Sequence, residues 1–128
     1  MGQGYILDSN VIIDFLSGVL PADGMRFVSD IVNAVPRVSA ISKIELLRFT
    51  HTPSNEQILE DFIQESVVLP IDDLVINTTI GLCKGNKTKI PDAIIAATCI
   101  VHQLVLVTRN VKDFRHINGL RVENPWEL

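Results

Sequence analysis

Apolar residues along this chain come in two rhythms, short uninterrupted runs and longer stretches spaced three and four apart. Tyr5–Leu7, Arg37–Ile41, Val67–Leu69, Leu104–Val107 and Leu120–Glu123 carry the first rhythm and predict five strands. The second predicts helices between them: Asn10–Leu16, stopped by Ser17-Gly18; Met25–Val35, after a turn over Pro21–Gly24 and ended by Pro36; and a segment from Ser42 to about Thr50. Ser42-Lys43-Ile44-Glu45 has the Ser-x-x-Glu form of a capping box for that last helix. After the break at Thr52-Pro53-Ser54, Ile58, Leu59, Phe62 and Ile63 mark a further helical face. Asp72-Asp73 caps another helix, which carries Leu74, Val75, Ile76, Ile80 and Leu82 and gives way to a hydrophilic loop, Lys84–Lys89. Pro91-Asp92 opens a helix whose residues from Ala93 to Val101 are almost all apolar or small, as a helix buried on every side requires.

Strands alternating with helices call for a parallel sheet with right-handed crossovers, and no repeat or linker interrupts the series. The expectation is a single domain over residues 1–128, an α/β fold with a central parallel β-sheet. Composition sharpens this. Apolar residues make up 47% of the chain and aromatics only 5%, so the core is built of Ile, Val, Leu and Ala, as in a sheet covered on both faces. So much apolar sequence also leaves too few polar residues to cover the outside, which predicts an apolar surface patch and with it an oligomer or protein partner. Cys83 and Cys99, far from any His at ligand spacing, are read as core thiols of a protein in a reducing cytoplasm. The run Ala93–Val101 is too short to span a bilayer, and no basic leader precedes an apolar segment.

The net charge of −4 argues against a general nucleic-acid coat protein, yet the charges are segregated. No Lys or Arg falls between Arg48 and Lys84, whereas seven of the eleven basic residues follow: Lys84, Lys87, Lys89, Arg109, Lys112, Arg115 and Arg121. A basic rim beside an acidic site suits a polyanion held against a metal.

The acids that would make such a site occupy equivalent places. Asp8 follows the first strand, Glu45 lies in the helix after the second, Asp92 opens the helix that feeds the fourth, and Asn110 with Asp113 follows the fourth. Each has a structural explanation alone: Asp8 or Asn10 as an N-cap, Glu45 as the reciprocal partner of Ser42, Asp92 as complement to a helix dipole, Asn110 as a turn cap. Together they converge, because helix starts on a parallel sheet share one edge. Carboxylates brought together repel unless a cation neutralises them, and a hard ion such as Mg²⁺ or Mn²⁺ suits a few carboxylates completed by water and substrate phosphate. No glycine-rich phosphate loop with Lys, His-rich zinc pattern or Gly-x-Ser-x-Gly elbow offers another chemistry.

Five motifs in order, Leu7-Asp8-Ser9-Asn10-Val11-Ile12-Ile13-Asp14, Ser42-Lys43-Ile44-Glu45-Leu46, Ile90–Thr98, Thr108–Phe114 and Gly119–Trp126, resemble those of a PIN-domain ribonuclease, and more narrowly a VapC-type toxin of a type II toxin–antitoxin pair. The resemblance implies a PIN-like three-layer α/β/α sandwich, a Mg²⁺- or Mn²⁺-dependent endoribonuclease, a homodimer, and neutralisation by a cognate antitoxin. Asp8, Glu45 and Asp92 match the three family acids. The family often carries an acid where Asn110 stands, while other members place an Asp three residues after an Asn, as here. The fourth position therefore lies between Asn110 and Asp113. In this reading Asp8 and Asp92 bind metal directly, Glu45 and Asp113 bind it or hold its waters, and Asn10, Thr108 and Asn110 orient them, for in-line attack by an activated water on an RNA phosphodiester. Lys87, Lys89, Arg109, Lys112 and Arg115 are candidate RNA contacts, and Asp14 is read as structural.

Two other readings compete. A catalytically weak PIN-like module would bind RNA or protein through a degenerate site. Asp8-Ser9-Asn10-Val11 also resembles the nucleophile motif of haloacid-dehalogenase-like phosphatases, but Asn10 replaces its second Asp and no cap-sized insertion follows.

Overall fold

The computed structural model describes residues 2–48, 52–85 and 87–128. Five strands, β1 (Tyr5–Leu7), β2 (Arg37–Ser39), β3 (Val67–Leu69), β4 (Val105–Val107) and β5 (Val122–Glu123), form one sheet in the order β3-β2-β1-β4-β5, with every pairing parallel. Among the described residues six α-helices connect them: α1 (Ser9–Leu16), α2 (Ala22–Ala34), α3 (Ala40–Leu47), α4 (Pro53–Gln64), α5 (Asp73–Gly85) and α6 (Ile90–His102). The fold is α/β, as expected from the alternation.

Successive strand residues point to opposite faces, and the core divides accordingly. Ile6 and Leu106, register partners on β1 and β4, join Ile95, Ala96 and Cys99 of α6 and Phe114 on one face. Leu7 and Val107, the next pair, join Val11 and Ile12 of α1, Val28 and Ile31 of α2, Leu46 of α3, and Leu59 and Ile63 of α4 on the other. Central β1 and β4 are thus covered on both sides, which is why their sequences are apolar without alternation. Residues 93 and 95–99 of α6 are all buried, in keeping with its apolar circumference.

Several boundaries differ from the sequence reading. Pro21–Gly24 is not a turn: α2 begins at Ala22, and Gly24 lies buried inside it. A Cβ at Gly24 would collide with the carbonyl oxygen of Pro125, so the glycine lets the C-terminal tail lie directly on the helix. Ser42 does not cap α3. The N-cap is Ser39, whose Oγ accepts from the Ser42 amide at 3.1 Å, and the strand ends there, leaving Ala40 and Ile41 in the helix. Helix α3 closes at Leu47, and Thr50 lies outside the described residues. Thr52 is the N-cap of α4, and Lys84 belongs to α5, not to the following loop. Leu104, Leu120 and Arg121 fall outside the strands. Cys99 is fully buried, but Cys83 only partly.

Candidate active site

All helices that follow a strand start at one edge of the sheet, and the acids gather there. Asp8 follows β1 and is the N-cap of α1: its Oδ1 accepts from the Ser9 amide at 2.8 Å, and its own N–H is held by the Val107 carbonyl at 3.0 Å. Oδ2 accepts from Thr108 Oγ1 at 2.8 Å and Asn10 Nδ2 at 3.2 Å. A carboxylate 6% exposed is thereby fixed by hydrogen bonds from three residues. Burial pushes the Asp8 carboxyl above its usual range, with the Asp113 charge adding to this, while the bonds from Thr108, Ser9 and Asn10 pull the other way.

Glu45, half-buried on α3, accepts from Ser9 Oγ at 3.1 Å, so the start of α1 links two of the acids. Asp92 lies in the first turn of α6, behind Pro91 and beside a dipole it complements. Its carboxyl is also raised, first by burial and then by the charges of Asp113, Asp8 and Glu45, with Lys89 opposing. Asp113, at the end of a 3-10 turn over Val111–Asp113, is exposed and acts electrostatically on both Asp8 and Asp92. Asn110 contributes its backbone N–H to Thr108 Oγ1 at 3.1 Å, and among the described residues its side chain makes no hydrogen bond.

Asp92 therefore lies within electrostatic reach of Asp8, Glu45 and Asp113, and Asp8 within reach of Asp113, and none of the four forms a salt bridge among the described residues. All-oxygen donors, opposed only by the Lys89 charge at Asp92 and by no salt bridge among the described residues, fit a hard divalent ion. No three His, Cys, Asp or Glu among the described residues stand close enough as placed to hold one, so the fit rests on donor chemistry and charge rather than on a formed cage.

The basic residues surround this edge unequally. Arg109, Lys112 and Arg115 line a cleft of about 460 Å³ together with Asn110, Asp113 and Glu127. Lys87 and Lys89 are exposed on the loop before α6, and that loop is tied to the segment after the 3-10 turn by a 2.8 Å contact between Thr88 Oγ1 and His116 Nε2. Arg109 is partly engaged already: its Nη1 lies 3.0 Å from Asp14 Oδ2.

Two features escaped the sequence reading. The Ser9 hydroxyl reaches Glu45 only because α1 and α3 pack together, and residue spacing carries no signal of that. Asp14, read as structural, is 7% exposed and gathers partners from far along the chain, Arg109 Nη1 and, at 2.9 Å, Trp126 Nε1.

In this five-stranded parallel sheet the carboxylates collect where the helices begin, the edge at which open α/β folds place their ligands. Residues 5–120 match the family model of the PIN domain, and the chain belongs to that family. PIN domains are nucleases and generally use divalent metal ions. Among solved structures the chain is similar to a toxin-antitoxin complex from Klebsiella pneumoniae, at 28% identity over 98% of this chain and 100% of that one, with a TM-score of 0.78. DNA-bound VapBC from Salmonella typhimurium is similar at 25% identity over 97% and 99% of the two chains, TM-score 0.79. FitAcB from Neisseria gonorrhoeae is similar at 25% identity over 97% and 99%, TM-score 0.72. No curated protein matches the chain significantly in sequence.

Proposed function

We propose that this protein is a Mg²⁺- or Mn²⁺-dependent endoribonuclease acting in the cytoplasm as the toxin of a toxin–antitoxin pair. The observation that carries this reading is the gathering of carboxylates at one sheet edge, where Ser9 is bonded to both Asp8 and Glu45, Asp92 feels the charges of Asp8, Glu45 and Asp113, and none of the four forms a salt bridge among the described residues. The likeness to chains of toxin–antitoxin complexes supports the biological role.

Asp8 and Asp92 would hold the ion, with Glu45 and Asp113 completing the set directly or through water. A bound divalent ion supplies charge for the phosphoryl oxygens and lowers the pKa of a water. The chain supplies the rest. Thr108 and Asn10 hold Asp8 Oδ2, and Ser9 holds both Asp8 Oδ1 and Glu45, so the carboxylates meet a phosphodiester in fixed orientations. Lys87, Lys89, Lys112 and Arg115 flank the acids as phosphate contacts, and cleavage in line would leave a 5′-phosphate and a 3′-hydroxyl.

Partners are supported by exposed apolar side chains. Ile13, Leu16 and Ile58 border one shallow cleft across α1 and α4, and Ile76, Ile80 and Ile90 border another across α5 and α6. Such surfaces suit a second copy of the chain and an antitoxin.

The test is cleavage of total tRNA and rRNA by purified protein with Mn²⁺, with EDTA, and with Asp92→Asn, sequencing the ends. Cleavage that survives EDTA, or that Asp92→Asn leaves unchanged, would overturn the assignment. One alternative is a non-catalytic PIN-like binding module that holds RNA or protein. That module would show neither cleavage nor Mn²⁺-dependent stabilisation.

A further inference from the structure

Asn10 and Asp14 stand one helical turn apart on α1, so they share a face, and that face grips a single residue, Arg109. Asn10 Oδ1 accepts the Arg109 backbone N–H at 3.0 Å. Asp14 takes the side chain: Nη1 donates to Oδ2 at 3.0 Å and to Oδ1 at 3.3 Å. Arg109 lies between Thr108, whose hydroxyl holds Asp8, and Asn110, whose amide donates to that same hydroxyl oxygen. The turn carrying the Asp8 partner is thus fastened to α1 at two levels.

Asp14 is itself fixed from a third direction. Trp126 Nε1 donates to Oδ2 at 2.9 Å, and the adjacent Pro125 is seated on α2 where Gly24 leaves no side chain in the way. An acid this buried needs its donors, and it has them from two distant segments, the Thr108–Asn110 turn and the C-terminal tail. A carboxylate serving only to solubilise the helix would face water.

We propose that Asp14 is a positioning residue for the candidate active site: with Trp126 behind it, it anchors Arg109 so that the Thr108–Asn110 turn keeps Thr108 and Asn10 on Asp8. That this positioning serves catalysis rests on the nuclease reading; that it holds the turn does not.

The experiment separates the two. Amide hydrogen exchange followed by NMR on metal-free wild type, Asp14→Ala and Asp14→Asn reads the Arg109 N–H directly. Loss of the anchor speeds exchange at Arg109 about tenfold while the β1 and β4 amides stay protected. In single-turnover cleavage of RNA, Asp14→Ala lowers the rate about tenfold at unchanged apparent affinity, as loss of a partner that orients ligands does. Arg109→Ala lowers it similarly, and the double variant loses little more than either alone. Unchanged Arg109 exchange in both Asp14 variants overturns the proposal, as does an unchanged cleavage rate in folded Asp14→Ala. Wild-type protein that cleaves no RNA would overturn the nuclease reading, while the exchange result would still decide the anchor.

Discussion

Thr108 Oγ1 and Asp8 Oδ2 lie 2.8 Å apart although a hundred positions separate them in the chain. The bond exists because β1 and β4 are adjacent and in register, Leu7 beside Val107, so the residue that follows each strand meets the other. Thr108 is fully buried and Asp8 nearly so, which places a charge-assisted hydrogen bond where water cannot replace it. Thr108→Val keeps the shape and removes the hydroxyl. A loss of about 2 kcal/mol in unfolding free energy is expected by urea denaturation, together with a further rise in the Asp8 pKa, read by carboxyl ¹³C NMR. No change in either would mean that Asn10 alone suffices.

The raised carboxyls of Asp8 and Asp92 have a definite sign in stability. A carboxyl whose folded-state pKa exceeds the ordinary 3.8 retains its proton longer folded than unfolded. Metal-free protein therefore loses stability as pH climbs from near 3.8 through the raised values, and above them the penalty is complete. Asp92 accepts no hydrogen bond among the described residues, so Asp92→Asn removes repulsion without orphaning a donor. In EDTA at neutral pH its thermal midpoint should exceed wild type, and the gap should close as pH falls below the ordinary carboxyl value. A variant less stable than wild type at neutral pH would contradict the repulsion.

A cation should reverse that penalty. If the four acids bind Mn²⁺, saturating ion stabilises the folded state by about 2.7 kcal/mol at a hundredfold excess over its dissociation constant. Thermal unfolding with Mn²⁺ and with EDTA measures this, and Asp92→Asn should abolish most of the shift. An equal shift in wild type and variant would locate binding elsewhere.

The strands and buried α6 were legible in the sequence because a parallel sheet imposes a local, one-dimensional signature of short β-branched runs between helices. That Asp8, Glu45, Asp92 and Asp113 gather at one edge was legible for a related reason: each lies at or near a predicted junction, and topology alone carries junctions to one edge. What local pattern misled was capping. Ser39 and Ser42 both precede a helical pattern, and only the extended backbone of Ser39 at the end of β2 decides between them. Gly24 read as a turn because the contact that demands glycine comes from Pro125, far along the chain. The partners of Asp14, at sequence separations of 95 and 112, were invisible for the same reason.

Gly24 sets two effects against each other. Alanine in a helix interior is favoured over glycine by about 1 kcal/mol, but the new methyl would strike the Pro125 backbone, which cannot rotate aside as a side chain can. Overpacking of this kind costs about 1–3 kcal/mol, so Gly24→Ala should destabilise on balance. Trp126, the only tryptophan, would report displacement of the tail by a red-shifted emission. A more stable variant with unchanged emission would show that the tail is not seated on α2.

Ser9 tests whether orientation at the site matters apart from the acids. Its amide belongs to Asp8 Oδ1 and its hydroxyl to Glu45 Oε1. Ser9→Ala leaves the first bond intact, keeps the helix start, and deletes only the second. Half-buried Glu45 can recover its solvation from water, so the stability change should stay within about 0.5 kcal/mol. Cleavage should nevertheless fall about tenfold, since a carboxylate freed to sample several rotamers is seldom placed for its ligand. Ser9→Thr restores a hydroxyl and should recover much of the rate. If Ser9→Ala cleaves RNA as wild type does, Glu45 is oriented by something other than α1, and the link between the two helices is structural alone.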